Sequence, residues 1–182
     1  MEIKIENAKA AFEMADENIK EEVQQTPITE RVKTFEDACR ELGEYNHLVK
    51  QYRAIEENAD FTSVGHDIFA YLKLRIIAAA LNEGWEPQLT EDEQRWYPWF
   101  TLLTEEELPE ESDKWKANEQ VISIDDYSED WAGFCCAYSD AAPSNSCTYF
   151  GCRICFKSET LATYCGKQFI KLWADFNLIK KS

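Results

Sequence analysis

Two hydrophobic periods divide this chain, and they exchange near Trp85. Before it, apolar residues return every three or four positions, the period of a helix that buries one face. Ala8, Ala11, Phe12, Ala15, Ile19 and Val23 make such a stripe over residues 6–23, and "TPIT" ends it. "TFEDACRELG" reads as a compact helix with Thr34 as N-cap, Asp37 in the capping-box position and Gly43 as stop. A further helix is expected over about residues 45–57. "DFTSVGHDIFAYLKLRIIAAALNEG" then opens at Thr62 or Ser63 and stops at Gly84. Ile68, Phe69, Leu72, Ile76, Ala79 and Ala80 form one face of it, and Tyr71, Leu74, Ile77 and Leu81 widen that face. A helix this apolar is expected at the centre, with the others packed around it.

After Trp85 the period shortens to two. "LTEDEQRWYPWFTLL" begins with a capping-box pattern, Thr90 and Glu93, and continues as an aromatic extended segment. Pro98 inside it points to an edge strand or a bulge. "VISI", "WAGFCCAY" and "CTYFGCRICFKS" read as strands, the last two flanking "SDAAPSNS" as a hairpin loop. The helical period returns after Ser158, the N-cap of one amphipathic helix. Leu161, Tyr164, Cys165, Phe169, Leu172, Trp173 and Phe176 mark its apolar face, and Lys180 and Lys181 follow its end. That helix should fold back onto the sheet and bury Phe169, Leu172 and Trp173. The expected fold is therefore α+β, as one domain over residues 1–182. Residues 1–84 form a helical half, packed with a small antiparallel sheet of about three or four strands and a C-terminal amphipathic helix across it.

Composition sharpens this picture in two places. Hydrophobic residues at 45% and aromatics at 13% give 182 residues the means to bury a core, unlike a disordered acidic chain. The net charge of −16 is concentrated in residues 81–140, while residues 141–182 are net basic. Such a balance disfavours nucleic acid and acidic membrane surfaces as partners and leaves another protein as the expected one. The start has no basic region followed by an apolar one, and the longest apolar run, "IFAYLKLRIIAAAL", is short and carries Lys73 and Arg75. A soluble cytoplasmic protein with seven free thiols is the expectation.

Candidate chemistry is sparse. In a strand, Phe150, Cys152, Ile154 and Phe156 would share one face, with Arg153, Cys155 and Lys157 on the other. The C-x-x-C thiols would then point apart and share neither a metal nor a bond. A zinc site would need a tight turn and further ligands, for which Cys147, Cys135 and Cys136 are available. The strand is preferred over both zinc and a redox pair. Nothing in the sequence brings His47 or His66 near Cys155 or Cys165, and Asp125, Asp126, Glu129 and Asp130 lack the spacing of a calcium loop. No phosphate-binding, zinc-protease or nucleophile-elbow motif is present, so no catalytic residue, metal or cofactor is assigned. The aromatic segment is the one candidate site. Trp96, Tyr97, Trp99 and Phe100 put rings on both faces of a strand, and core packing is preferred for them. Rings left outside, with Arg95, Arg153 and Lys157 as cations, would bind a partner protein or stack bases.

"TFEDACRELG", "AAALNEGWEP", "YPWF" and above all "FGCRICFKSETLATYCGKQF" resemble a family of small uncharacterised proteins encoded by gut Bacteroidales genomes and their phages or mobile elements. The resemblance spans about residues 34–176 and follows a C-terminus of the type FGxRxCFKSxxLAxYxGKQF. It departs at Cys152, where the family pattern carries serine. It implies a phage or mobile-element context, in host cytoplasm or virion, and brings no activity, ligand or catalytic residue. The expected function is thus a non-enzymatic binding or assembly protein, an accessory in that context. The alternative is a single-stranded nucleic-acid-binding protein that uses the aromatic sheet face.

Overall fold

The computed structural model of the chain describes residues 26–58, 65–108, 121–143 and 151–181. The stripe at 6–23, the helix start at Thr62 or Ser63, and Cys147 lie outside the described residues. Among the described residues four helices come first: α1 (Ile28–Arg31), α2 (Phe35–Leu42), α3 (His47–Asn58) and α4 (His66–Leu81). The strands β1 (Gln94–Leu103), β2 (Val121–Ser123) and β3 (Gly133–Pro143) follow, then a 3₁₀ turn at Cys152–Ile154 and the helices α5 (Glu159–Gln168) and α6 (Ile170–Asn177). The class is α+β, with the helical half first and helices again at the end.

Local chemistry explains several boundaries. At α2 the Thr34 hydroxyl accepts from the Asp37 N–H at 3.1 Å, and the Asp37 carboxylate accepts from the Thr34 N–H at 2.8 Å, a reciprocal box. The Thr34 bond holds the Asp37 carboxyl below its usual range. Gly43, at φ +81°, ends α2 in a conformation that a side chain would oppose. Ser158 caps α5 by accepting from the Leu161 N–H. The second box pattern forms no helix. Glu93 N–H still donates to the Thr90 hydroxyl at 3.3 Å, but β1 begins at Gln94 and turns the motif into the entrance of a strand.

α4 is the hub. Phe69, Ala70, Leu72, Leu74, Ile76, Ile77, Ala78, Ala80 and Leu81 are buried, so nearly its whole circumference past the first turn is covered. α2, α3, α5, α6 and the 3₁₀ turn all pack on it, and the hydrophobic core runs without a break from Ile28 to Ala174. Among the described residues no helix is long and apolar enough to cross a membrane.

The sheet is antiparallel with order β1-β3-β2. Pro98 sits in β1, an edge strand, where its missing N–H costs least. The register shifts just after it. Trp99 pairs with Tyr138 and Phe100 with Cys136, which leaves residue 137 as a bulge in β3. Edge and bulge are both realised.

Three sequence expectations are corrected. β3 runs on through "SDAAP", more than half of the expected hairpin loop, because Gln94–Tyr97 pair with Asp140–Pro143 and extend it. "GCRICFK" is not a strand. It forms the 3₁₀ turn, entered through Gly151 at φ +67°, and contributes a single bridge, Phe156 to Trp96, on the outer edge of β1. The single C-terminal helix is two. The chain bends at Phe169 (φ −114°, ψ 29°) although the Cys165 and Phe169 carbonyls still accept helical bonds. α5 lies across β1 and β3, whereas α6 lies along α4, and a straight helix would not reach both. Phe169 and Trp173 are buried as expected, and Leu172 is half-buried.

α5 approaches the sheet closely at Gly166. A Cβ there would stand 2.7 Å from Pro98 Cβ and also against the Cys136 sulfur. Gly166→Ala gains about 1 kcal/mol of helix propensity, but overpacking against a rigid proline ring costs about 1–3 kcal/mol. The net expectation is a melting temperature lower by a few degrees in a thermal scan. A rise would contradict this packing.

Candidate functional site

Directly opposed residues of an antiparallel pair share a face. Trp96 with Ala141, Pro98 with Ser139, Phe100 with Cys136 and Leu102 with Phe134 face the helices. Ser139 confirms the side, since its hydroxyl donates to the Glu159 carbonyl of α5 and accepts from Thr163 at 3.2 Å. Arg95 with Ala142, Tyr97 with Asp140 and Trp99 with Tyr138 therefore make up the opposite, outer face.

That outer face is divided. At one end it is covered by the Gly151–Cys152 turn. The Tyr97 hydroxyl donates to the Gly151 carbonyl at 3.5 Å, and Arg95 Nη1 donates to the Cys152 sulfur at 2.8 Å. Tyr97 and Arg95 are accordingly buried, Arg95 at 1% exposure, with its guanidinium over the Tyr97 ring. At the other end Trp99 and Tyr138 stack on each other, centroids 5.7 Å apart and planes inclined by 12°. Trp99 is half-buried and Tyr138 is 51% exposed. Trp99 also borders an apolar hollow of about 350 Å³ that opens largely on the helix-facing side of the sheet, walled by Phe100, Leu102, Phe134 and Leu178, with Asp140 and Asn177 as polar groups.

The aromatic segment thus separates by face. Trp96 and Phe100 go inward, Phe100 stacking on Phe134 at 4.7 Å and reaching Trp173 at 5.3 Å. Tyr97 is covered from outside, and Trp99 alone of the four stands at the surface stack. The cations disperse too. Arg95 is internal, Lys157 binds Glu83 at 3.0 Å, and Arg153 is exposed on the 3₁₀ turn. Tyr138 and Asp140 complete the face and were not among the sequence candidates. Their signal was the alternation Tyr138, Asp140, Ala142, which crosses from the end of the expected strand into the segment read as a loop.

A second hollow, also about 350 Å³, lies between the start of α4 and the end of α6, lined by His66, Asp67, Tyr127, Asp175 and Lys180. Tyr127 donates to Asp175, and burial, reinforced by that bond, pushes the phenol upward so that it stays protonated. With Lys181 N–H donating to the Asp126 carbonyl at 2.9 Å, these bonds tie the 124–128 turn to the C-terminal end. Among the described residues no three His, Cys, Asp or Glu side chains converge as metal ligands. The six described cysteines are free thiols. No protein-family model, no curated protein and no solved structure matches this chain.

Proposed function

We propose that this chain is a non-enzymatic binding protein whose Trp99–Tyr138 stack and the adjoining hollow take an apolar, basic-flanked segment of another protein. The observation that carries this reading is the Trp99–Tyr138 stack beside the apolar hollow. Rigid aromatics next to a concave apolar site are what an interface uses to anchor a partner side chain, and few such residues supply most of the affinity. Asp140 is exposed at the rim of the hollow, and the chain carries a net charge of −16, so a cationic flank on the partner is favoured. The nucleic-acid alternative draws less support. Of its three cations one is internal and one is ion-paired, and phosphate binding depends on exposed positive charge.

Panning random peptides on the purified chain is expected to enrich sequences that join a bulky apolar residue to Lys or Arg. Trp99→Ala combined with Tyr138→Ala should weaken the selected peptides by about tenfold or more, the effect of losing an aromatic anchor. Asp140→Asn should weaken them only about two- to threefold and flatten the salt dependence, as for a screened rim charge. No enrichment, together with salt-sensitive quenching of tryptophan emission by oligonucleotides, would hand the face to the alternative.

A further inference from the structure

The Cys152-Arg153-Ile154-Cys155 segment takes no part in the aromatic face, and its geometry reverses the reason for discounting it. A strand would send its two thiols to opposite sides of a sheet. A 3₁₀ turn instead brings residues i and i+3 over one another, with Cα atoms inside the separation that a disulfide spans. The Cys155 sulfur is already folded back over the turn, 3.1 Å from the Cys152 carbonyl oxygen.

The two thiols have different surroundings. Cys152 is exposed, and its sulfur receives Arg95 Nη1 at 2.8 Å from the buried guanidinium. Cys155 is buried, between Ile154 and Phe156 of the core. The backbone around them is pinned. Asn82 donates to the Cys155 carbonyl at 2.8 Å and accepts from the Lys157 N–H at 3.0 Å, and Gly151 is held by Tyr97. An accessible sulfur beside a fixed cation, with a second sulfur behind it on a rigid turn, is an arrangement suited to thiol–disulfide exchange.

We propose that Cys152 and Cys155 are a dithiol–disulfide pair, with Cys152 the attacking thiol, Cys155 the resolving thiol and an external disulfide as oxidant. In the first step the Cys152 sulfur, as thiolate, attacks one sulfur of R–S–S–R. The external S–S bond breaks, a Cys152–S–S–R bond forms, and RS⁻ leaves. In the second step Cys155 gives up its proton and attacks the Cys152 sulfur, forming the internal disulfide and expelling the second RS⁻. The two protons lost by the protein convert both leaving groups to RSH. Two protein thiols are oxidised and one external disulfide is reduced. Burial pushes the Cys155 thiol up to about 11, with Arg95 opposing and Cys152 adding to the rise. Cys155 is buried and held protonated near neutral pH, and the first attack falls to Cys152 because its sulfur is the exposed one. Arg95 touches the reacting sulfur and belongs to the catalytic set of this exchange.

The reduced, purified full chain is equilibrated with reduced and oxidised glutathione at several ratios, quenched in acid, alkylated and digested with trypsin. Cleavage after Arg153 separates the two cysteines unless a disulfide joins them. The expected product is one linked pair, the peptide ending at Arg153 joined through Cys152 to the peptide beginning at Ile154. Its amount should follow the glutathione ratio reversibly. Cys155→Ala should trap glutathione on Cys152, whereas Cys152→Ser, at an exposed position, should fold normally and yield no linked product. Arg95→Lys should slow the first step by about tenfold while leaving the linked product the same, because the cation persists without the planar donor fork. Absence of the linked peptide at every ratio, or a linkage that runs through Cys147, overturns the proposal. So does one zinc ion per chain in the purified protein together with resistance of Cys152 to alkylation.

Discussion

Trp173→Ala is expected to lower the melting temperature by roughly 10 °C or more, or to leave the protein insoluble. Trp173 has no exposed surface and sits where three layers meet. Its ring lies 5.3 Å from Phe100 of β1 and 6.2 Å from Phe176 of its own helix. Phe100 in turn stacks on Phe134 of β3, and Phe176 stacks on Tyr71 of α4 at 5.7 Å. Complete burial also pushes the nearby Cys165 thiol well above its usual range. Truncating a buried tryptophan costs about 3–5 kcal/mol once the cavity is counted, out of the roughly 5–15 kcal/mol that a domain possesses. At this chain length each kcal/mol is worth about 2–4 °C. Lys171→Ala, two residues earlier on the exposed side of α6, should change the melting temperature by less than about 2 °C. A Trp173→Ala protein that melts normally but sediments as a smaller species would instead make the stripe an oligomer interface.

Asn82→Ala is the second large effect, and a different one. No cavity of consequence forms, yet two backbone groups lose their partners. Asn82 follows α4 directly, is buried, and spans from the hub to the far segment by accepting from Lys157 N–H and donating to the Cys155 carbonyl. Each buried backbone group left without a partner costs about 1–3 kcal/mol, so a loss of roughly 2–4 kcal/mol is expected after some water entry. Urea denaturation should show a lower midpoint with the slope unchanged. Asn82→Asp tests the mechanism, since it keeps the shape and the acceptor but turns an oxygen toward the Cys155 carbonyl. It should lose most of the same stability at neutral pH. If the aspartate variant is as stable as the parent, the clamp is not what holds this segment.

Those two residues mark where sequence reading works and where it stops. The Thr34–Asp37 box, the Ser158 cap and the helical period of residues 66–81 were all legible, because each depends on groups within a turn or two of one another. The apolar face that places Trp173 in the core was legible for the same reason. Asn82 carried no such signal. A polar residue after a helix reads as an ordinary stop, and its partners lie 73 and 75 residues away.

The surface stack and the cysteine turn were likewise decided at long range. Period two along residues 94–103 put rings on both faces, but which rings face outward depends on the side that α5 covers. Tyr138 joined Trp99 because β1 pairs with β3 in that register, which also draws the loop-like segment after Tyr138 into the sheet. The alternation of residues 150–157 fitted a strand at every position, yet a strand also needs a partner along its length. Beyond the single bridge at Trp96, the described part of that segment finds instead a positive-φ glycine, an arginine 57 residues away and a clamp from α4. Local bonding chose the capped helix starts and the helical period. Pairing partners, which close only when the chain folds, chose the turn that brings Cys152 onto Arg95.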